Sequence, residues 1–260
     1  MLGSERSTGA GPILGSLLVL LLLGAAAPAE ASAQNRDFLF GTPRATFTFR
    51  AGLHMPRAAS GDGTQSLWDL TREELTVDTR DLAGASIGGD LAIRATTRLD
   101  VLLSVGYTNA KTRSEFREWV DQDDLPIEQT TEFSIRPITV GVKAYLKDRG
   151  RAIGRFAWVP ETWNPYVGVA GGIVSYRFAQ HGDFIDYETL EIFGDRFYSR
   201  DRGATIQLSS GMDVAVNGRV LLVGEARYGF ASAPLSADFV GFPDLDLAGL
   251  QVTFGIGFRL

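Results

Sequence analysis

A two-residue alternation of apolar and polar side chains constrains this sequence more than any other feature. In the last eleven residues, every second position from Leu250 to Leu260 is apolar, and the positions between them carry Gln251, Thr253, two glycines and Arg259. Successive side chains of a β-strand point to opposite faces, so this spacing predicts a strand with one apolar and one polar face.

Six upstream segments show the same alternation. Their apolar faces consist, in chain order, of Phe47, Phe49, Ala51, Leu53 and Met55; Ile87, Leu91 and Ile93; Val101, Leu103, Val105 and Tyr107; Ile138, Val140, Val142, Ala144 and Leu146; Ile206, Leu208, Met212 and Val214; and Leu222, Ala226, Tyr228 and Phe230. The opposite faces hold mainly Gly, Ser and Thr with a few charges of both signs. With the final segment they make seven predicted strands.

A further segment, residues 166–178, completes the set but has two competing faces. Val167, Val169 and Ile173 lie on one face. The other face consists of Tyr166, Ala170, Val174, Tyr176 and Phe178. We assign the second face to the apolar exterior because this choice turns Arg177 inward.

Eight alternating segments favour a closed antiparallel barrel, because closure removes the unpaired edges of a sheet. A tilted strand of about 11 residues rises roughly 28 Å, which matches the apolar thickness of a bilayer. The predicted connections alternate in length. The long links span 56–83, 112–131, 179–203 and 232–247, and the short ones span 96–100 and Asn217-Gly218. The link 147–162 is longer, but its place in this alternation puts it at the same end of the barrel as the short links. The sequence therefore predicts an all-β, eight-stranded up-and-down transmembrane β-barrel.

The N-terminal segment has the pattern of a cleavable secretory signal peptide. Arg6 precedes an apolar run over 13–27, and Ala31-Ser32-Ala33 resembles a cleavage site. The run is about 15 residues long, shorter than the ~20 that a spanning helix needs, which disfavours a retained anchor. We predict a signal peptide at 1–33, with cleavage after Ala29 as an alternative, and a barrel domain at 34–260 in the cell outer membrane.

The composition excludes several classes of site. The chain has no cysteine and only two histidines, His54 and His181, so disulfides, thiolate metal sites and multi-histidine metal sites are excluded. The formal net charge is −6, which disfavours a nucleic-acid partner. Asp121 to Asp124 lacks the glycine and distal glutamate of a calcium loop. We therefore predict no metal and no cofactor.

Alternation alone also fits a soluble barrel, which would show water a surface rich in Lys and Glu. The polar face here is instead rich in small residues, which favours a crowded polar lumen. The residues predicted to face lipid are Phe47, Phe49, Val140, Val142, Leu208, Phe254, Ile256 and Phe258. Those predicted to face the lumen are Arg50, Asp90, Arg94, Lys143, Asp213, Glu225 and Arg227, with Arg177 as a further candidate.

These features together resemble the small bacterial outer-membrane β-barrel proteins of the OmpA transmembrane-domain, OmpX and OmpW type. The resemblance covers Phe38 to Leu260 and includes the segment Pro165 to Gly168 that opens a strand. It implies that the final strand contacts the outer-membrane assembly machinery, although the family usually ends in an aromatic residue and this chain ends in Leu260. It also implies outer-membrane lipids and lipopolysaccharide as partners. A monomer is favoured.

The sequence leaves three functional hypotheses open. Charges in an eight-stranded lumen need partners, so an ion-pair network closing a structural envelope barrel is the favoured interpretation. The alternative is a narrow passive channel for small or hydrophobic solutes, as in OmpW-like barrels. Loop aromatics fit either packing over the mouth or binding an apolar ligand; they are Trp68, Phe116, Trp119, Phe184, Tyr187, Phe193, Phe197 and Tyr198. A lipid-modifying enzyme would depend on His54, since His181 is predicted to lie in a mobile loop.

Overall fold

Eight antiparallel strands form a closed ring in the computed structural model, which describes residues 38–58, 65–154 and 156–260. The strands are β1 (Ala45–Pro56), β2 (Gly84–Arg94), β3 (Leu99–Val120), β4 (Pro126–Tyr145), β5 (Trp163–Ile185), β6 (Ile192–Ala215), β7 (Val220–Ala233) and β8 (Gly249–Arg259). The predicted eight-stranded barrel is confirmed. The predicted signal peptide, residues 1–33, lies outside the described residues.

The ring closes because β8 pairs with both β7 and β1. Thr46 lies opposite Arg259 and Pro56 opposite Gly249, so β1 and β8 are in register over their full lengths. Each remaining strand pairs with its neighbours in chain order. Every strand therefore has a partner on both sides, as a sheet must in lipid, where backbone groups find no water.

The connections define two ends of the barrel. The loop end carries residues 57–58, 65–83, 121–125, 186–191 and 234–248, and the turn end carries residues 95–98, 146–154, 156–162 and 216–219. The first loop contains helix α1 (Leu67–Glu74) and a 3₁₀ turn at Thr79–Leu82; the last contains a 3₁₀ turn at Ala237–Phe239 and the short strand Leu245–Asp246. In outer-membrane barrels the longer loops are extracellular.

A small separate sheet lies at the turn end. Strands Gly150–Ile153 and Ala157–Pro160 form a hairpin inside the link 147–162, and Leu39–Phe40 pairs with its second strand. The link 147–162, which the alternation of connections places at the same end as the short links, thus contains strands of its own. No helix within the described parts of the chain has the length and apolar character to cross a membrane.

Large apolar side chains cover the outside of the ring. Phe49 is 60% exposed, Val140 58% and Phe254 73%, and Val142, Leu208, Ile256 and Phe258 are also exposed, while Phe47 is half-buried. An apolar surface of this extent needs a non-aqueous surrounding. The belt is the surface that a membrane-spanning β-barrel presents to lipid.

Two of the predicted long loops are wrong. Residues 112–131 and 179–203 are mostly strand, and only the short turns 121–125 and 186–191 interrupt them. β6 has 24 residues, and at ~3.3 Å per residue and ~40° tilt it rises roughly 60 Å, about twice the hydrocarbon thickness. The strand continues beyond the membrane, where its outer face no longer needs apolar residues, so the apolar alternation stops before the strand does.

The face assigned to β5 is also wrong. Tyr166 is only 1% exposed, and Ala170, Val174, Tyr176 and Phe178 are buried too, whereas Val167, Val169 and Ile173 are exposed. Arg177 consequently points outward and is exposed. The inward face of β5 carries Gly168 and Gly172, as the inward faces of neighbouring strands carry glycines, and that small-residue signal outweighs the position of a single arginine.

We predict that an arginine on the apolar belt destabilises the barrel far more than one beyond it. Leu103 and Asn109 share the outward face of β3, but only Leu103 lies within the belt. Leu103→Arg should lower the free energy of unfolding by ~2–4 kcal/mol in lipid vesicles, and Asn109→Arg by less than about 1 kcal/mol. Urea titration in vesicles measures both. Equal losses for the two variants would contradict the placement of the belt.

Candidate functional site

The centre of the barrel interior is occupied by Arg50 of β1. Its Nε donates to Asp90 Oδ2 at 3.0 Å, its Nη1 to Gln251 Oε1 at 3.0 Å and its Nη2 to Ser104 Oγ at 2.9 Å. The Ser104 hydroxyl in turn donates to Asp90. All three nitrogens of the guanidinium thus have partners, which offsets the cost of removing its charge from water.

Arg227 of β7 extends this cluster across the lumen. Its Nε and Nη2 lie 3.0 Å and 2.7 Å from Glu225 Oε1, and Nη2 lies 3.5 Å from Asp90 Oδ2. Its Nη1 donates to Ser104 Oγ at 2.8 Å. The two arginines therefore share Asp90 and Ser104, and strands from opposite sides of the ring are held together through the lumen.

A second ion pair lies nearer the turn end. Lys143 Nζ contacts both carboxylate oxygens of Asp213, at 3.0 and 3.1 Å, and the Tyr145 hydroxyl donates to the same carboxylate at 2.7 Å. Tyr166 joins the two clusters, because Lys143 Nζ lies 3.6 Å from the centre of its ring and its hydroxyl donates to Glu225 at 2.9 Å. The two clusters together contain three cationic and three anionic side chains, and these make one connected network.

Arg94 does not take part in this network. Its Nε donates to the backbone carbonyl of Thr96 at 3.2 Å, and its guanidinium lies 5.9 Å from the ring centre of Trp158. Arg259 lies 5.5 Å from the same ring, and Arg149 pairs with the buried Asp100 at 2.6 Å. The buried indole of Trp158 thus lies across the turn end, flanked by two arginines.

Two glycines make room for the large interior side chains. A Cβ on Gly88 would lie 2.9 Å from Arg50 Cζ, and one on Gly211 would lie 2.5 Å from the Tyr166 hydroxyl. Both distances are too short for non-bonded atoms, so a side chain at either position would displace the network. The small residues of the polar face are therefore part of the packing of the lumen.

The loop end contains an apolar core instead of charges. Trp68 of α1 is fully buried and packs edge-on against Phe133 and Phe178, and Phe178 packs against Phe239. The Trp68 indole donates to the carbonyl of Asp246 at 3.0 Å. The first and last loops therefore pack inside the projecting strands β4 and β5 and cover the mouth of the barrel.

The remaining loop aromatics lie at the border of this core. Phe184 packs against Phe193 and Phe197, and Trp119 packs against Tyr187, whose hydroxyl donates to Glu74. Phe116 and Phe197 are partly buried against the core, and Tyr198 is exposed. An apolar cavity of about 260 Å³ remains among these residues and α1.

The two histidines lie in different surroundings, His54 in the lumen and His181 on a projecting strand. His54 is buried, points into the lumen and its Nε2 makes no hydrogen bond among the described residues. His181 lies on β5 opposite Arg196 and Thr130, so its predicted loop position is wrong. Across residues 38–58, 65–154 and 156–260, no group of three or more His, Asp or Glu side chains has the arrangement of a metal site.

Sequence reasoning missed the aromatic members of the site. Tyr166 was assigned to the wrong face, and Trp158 lies in a link for which alternation makes no prediction. Ser104, Gln207 and Gln251 do lie on the polar faces of their segments, but nothing in a single sequence shows that they meet Arg50 and Arg227. The contacts depend on the register of pairs that are up to 201 residues apart.

Comparison with known proteins finds likeness at the level of structure only. No protein-family profile and no curated protein sequence matches the chain. Among solved structures it is similar to the outer-membrane protein OprG from Pseudomonas aeruginosa, at 16% identity and a TM-score of 0.46, covering 85% of this chain and 99% of that one.

Two further solved structures cover most of the chain. The attachment invasion locus protein Ail of Yersinia pestis shows 10% identity and a TM-score of 0.43 over 85% of this chain and 100% of its own. The outer-membrane protease OmpT from Escherichia coli shows 6% identity and a TM-score of 0.38 over 84% of this chain and 94% of its own. OprG and OmpT are both outer-membrane proteins by name.

We predict that breaking the inner ion pair destabilises the barrel much more than breaking an exposed one. Asp213→Asn leaves the buried Lys143 charge without its partner and should cost ~3–5 kcal/mol of unfolding free energy. Asp148 pairs with Arg98 at the turn end, where both side chains are more than half exposed and water screens the charges, so Asp148→Asn should leave the unfolding free energy nearly unchanged. Urea unfolding followed by gel mobility measures both, and similar losses would contradict the network.

We also predict that an alanine is tolerated outside the ring but not inside it. At Gly211 a Cβ would lie 2.5 Å from both the Tyr166 hydroxyl and the Gly224 carbonyl oxygen, whereas at Gly224 the nearest atom is 3.7 Å away on Phe254. Gly211→Ala should lose ~1–3 kcal/mol through overpacking, and Gly224→Ala should match the parent. Thermal unfolding in detergent checks the pair, and the reverse order would show that the two faces are exchanged.

Proposed function

We propose that this protein is a structural barrel of the bacterial outer membrane with a closed lumen. The observation that carries the proposal is that large side chains fill the interior at three successive levels. These levels are the Trp158 layer at the turn end, the ion-pair network in the middle and the Trp68 core at the loop end. An eight-stranded barrel is only just wide enough for its own side chains, so three filled levels leave no continuous path for water.

The middle level favours a fixed plug over a gate. Arg50, Arg227 and Lys143 each have at least one carboxylate partner, and Ser104 and Tyr166 connect these pairs. Opening such a network would expose several charges to a low-dielectric interior at once. A gate needs a second arrangement of similar free energy, whereas these contacts stabilise one arrangement.

We also propose that the barrel has no catalytic activity. A barrel enzyme needs a base within hydrogen-bond reach of a nucleophile or an activated water. His54 lies buried beside Gly249, and a Cβ on that glycine would be 2.7 Å from the His54 ring. This crowding supports a packing role for the imidazole.

One observation favours a second candidate, passage of a hydrophobic solute. The cavity of about 260 Å³ at the loop end is lined mainly by apolar side chains, and it lies above the ion-pair network. Its lining includes Leu67, Leu70, Leu75, Phe116 and Phe184. A solute that enters there would have to leave sideways between strands, since the network blocks the route through the lumen.

Single-channel recording in planar bilayers tests the closed barrel. We expect the parent protein to insert, as judged by its heat-modifiable migration on gels, and to give no discrete current steps. The variant Glu225→Ala/Arg227→Ala should also stay silent, because the Trp158 and Trp68 levels remain. Discrete steps in the parent that grow in the variant would establish a channel instead. Saturable binding of a fluorescent apolar probe by the parent, lost in Leu70→Arg, would favour the hydrophobic-solute candidate.

A further inference from the structure

The exterior of the barrel carries a groove of about 960 Å³ on β4, β5 and β6. Five arginines line it: Arg136, Arg177, Arg196, Arg200 and Arg202. Asp201 is the only acidic residue in the lining, and one of its carboxylate oxygens already accepts the backbone N–H of Arg202 at 2.8 Å. The groove is therefore strongly cationic, although the whole chain has a formal net charge of −6.

The register places this groove directly above the apolar belt. Ile138 lies opposite Ile173 across β4 and β5, and both are more than half exposed. The next outward row toward the loop end consists of Arg136, Ser175 and Arg202, and the row after it consists of Ser134, Arg177 and Arg200. Successive rows on one face are about 7 Å apart, so the four arginines of these two rows lie at the depth of the headgroups of the outer leaflet.

The arginines of this groove lack the ion-pair partner that a neighbouring lysine has, and Arg136 instead lies over the Tyr107 ring, 5.3 Å from its centre. Lys111 pairs with Glu132 at 2.8 Å across β3 and β4, whereas none of the five arginines makes an ion pair within the described ranges. Arg177 and Arg200 lie directly opposite each other on β5 and β6. Like charges in directly opposed positions destabilise a sheet, and an anion between them would reverse that effect.

We propose that this groove binds the phosphorylated headgroup of an anionic lipid of the outer leaflet. Arginine pairs with phosphate oxygens through two parallel hydrogen bonds, and the side chains of three adjacent strands can surround a phosphate from several directions. The exposed Tyr198 lines the same groove, and tyrosine favours the border between apolar and polar layers. The binding site rests on the membrane placement of the belt and not on whether the lumen is closed.

The depth of the groove distinguishes a lipid from a soluble polyanion. A sulfated polysaccharide would approach from water and would gain most from charges at the tips of the projecting strands. Those tips are acidic, with Asp121, Asp123 and Asp124 in one turn and Asp186, Glu188 and Glu191 in the other. The arginines are instead concentrated where the strands leave the apolar belt, within reach of lipid phosphates.

The test measures binding of bisphosphorylated lipid A to the full mature chain in zwitterionic detergent micelles, by native mass spectrometry and by titration. The variant Arg177→Gln/Arg200→Gln/Arg202→Gln removes three groove charges. The control Lys111→Gln/Arg113→Gln/Arg117→Gln removes three exposed charges from β3. We expect the groove variant to bind at least tenfold more weakly than the parent and the control to bind within twofold of it.

The melting temperature, measured with and without lipid A, gives a second readout of binding. Without lipid A, the single variant Arg177→Gln should melt at or above the temperature of the parent, because it relieves the repulsion with Arg200. With lipid A, the parent should gain more thermal stability than this variant. Equal binding by all proteins would overturn the proposal. So would binding of heparin in preference to lipid A, or saturation by inorganic phosphate alone at the same concentration.

Discussion

Lipid offers no hydrogen-bond partners to a polypeptide backbone, and the rest of this structure follows from that constraint. A chain that crosses a membrane with strands must pair every strand on both sides, so the sheet closes into a ring. With eight strands the ring encloses a space only just wide enough for side chains. The residues that point inward therefore have to satisfy one another.

The interior network is the chemical consequence of this narrow space. Arg50 and Arg227 share Asp90 and Ser104, and Tyr166 connects them to the Lys143–Asp213 pair. The contacts of Arg227 with Ser104 and Asp90, and of Lys143 with Asp213, join strands that are not neighbours in the ring, so the polar lumen stabilises the barrel as an apolar core stabilises a soluble domain. The glycines at 88 and 211 give the arginine and tyrosine side chains the room they need.

The sequence predicted the barrel because alternation is a local property. Ile138, Val140 and Val142 alternate with Thr139, Gly141 and Lys143, and no knowledge of partners is needed to separate the two faces of that strand. Local patterns were insufficient in β5, where both faces carry apolar residues. They were also insufficient above the membrane, where β3 to β6 continue as strands with polar outer faces.

Contacts between distant segments could not be predicted from one sequence. Trp158 belongs to a hairpin that folds back under the barrel, and the five groove arginines come together only when β4, β5 and β6 pair in register. When β5 is considered alone, Arg177 is predicted to point into the lumen. The glycines on the opposite face of β5 indicate instead that this opposite face points inward, so Arg177 lies outside, at the membrane border.

In this barrel the apolar face of every strand contacts lipid and the polar face is packed inside. The chain has no cysteine, so single cysteines carrying spin labels can be introduced one at a time along residues 138–143 of β4. In reconstituted vesicles we expect relaxation by oxygen to be high at 138, 140 and 142 and low at 139, 141 and 143. The opposite phase, or oxygen access without alternation, would contradict the account.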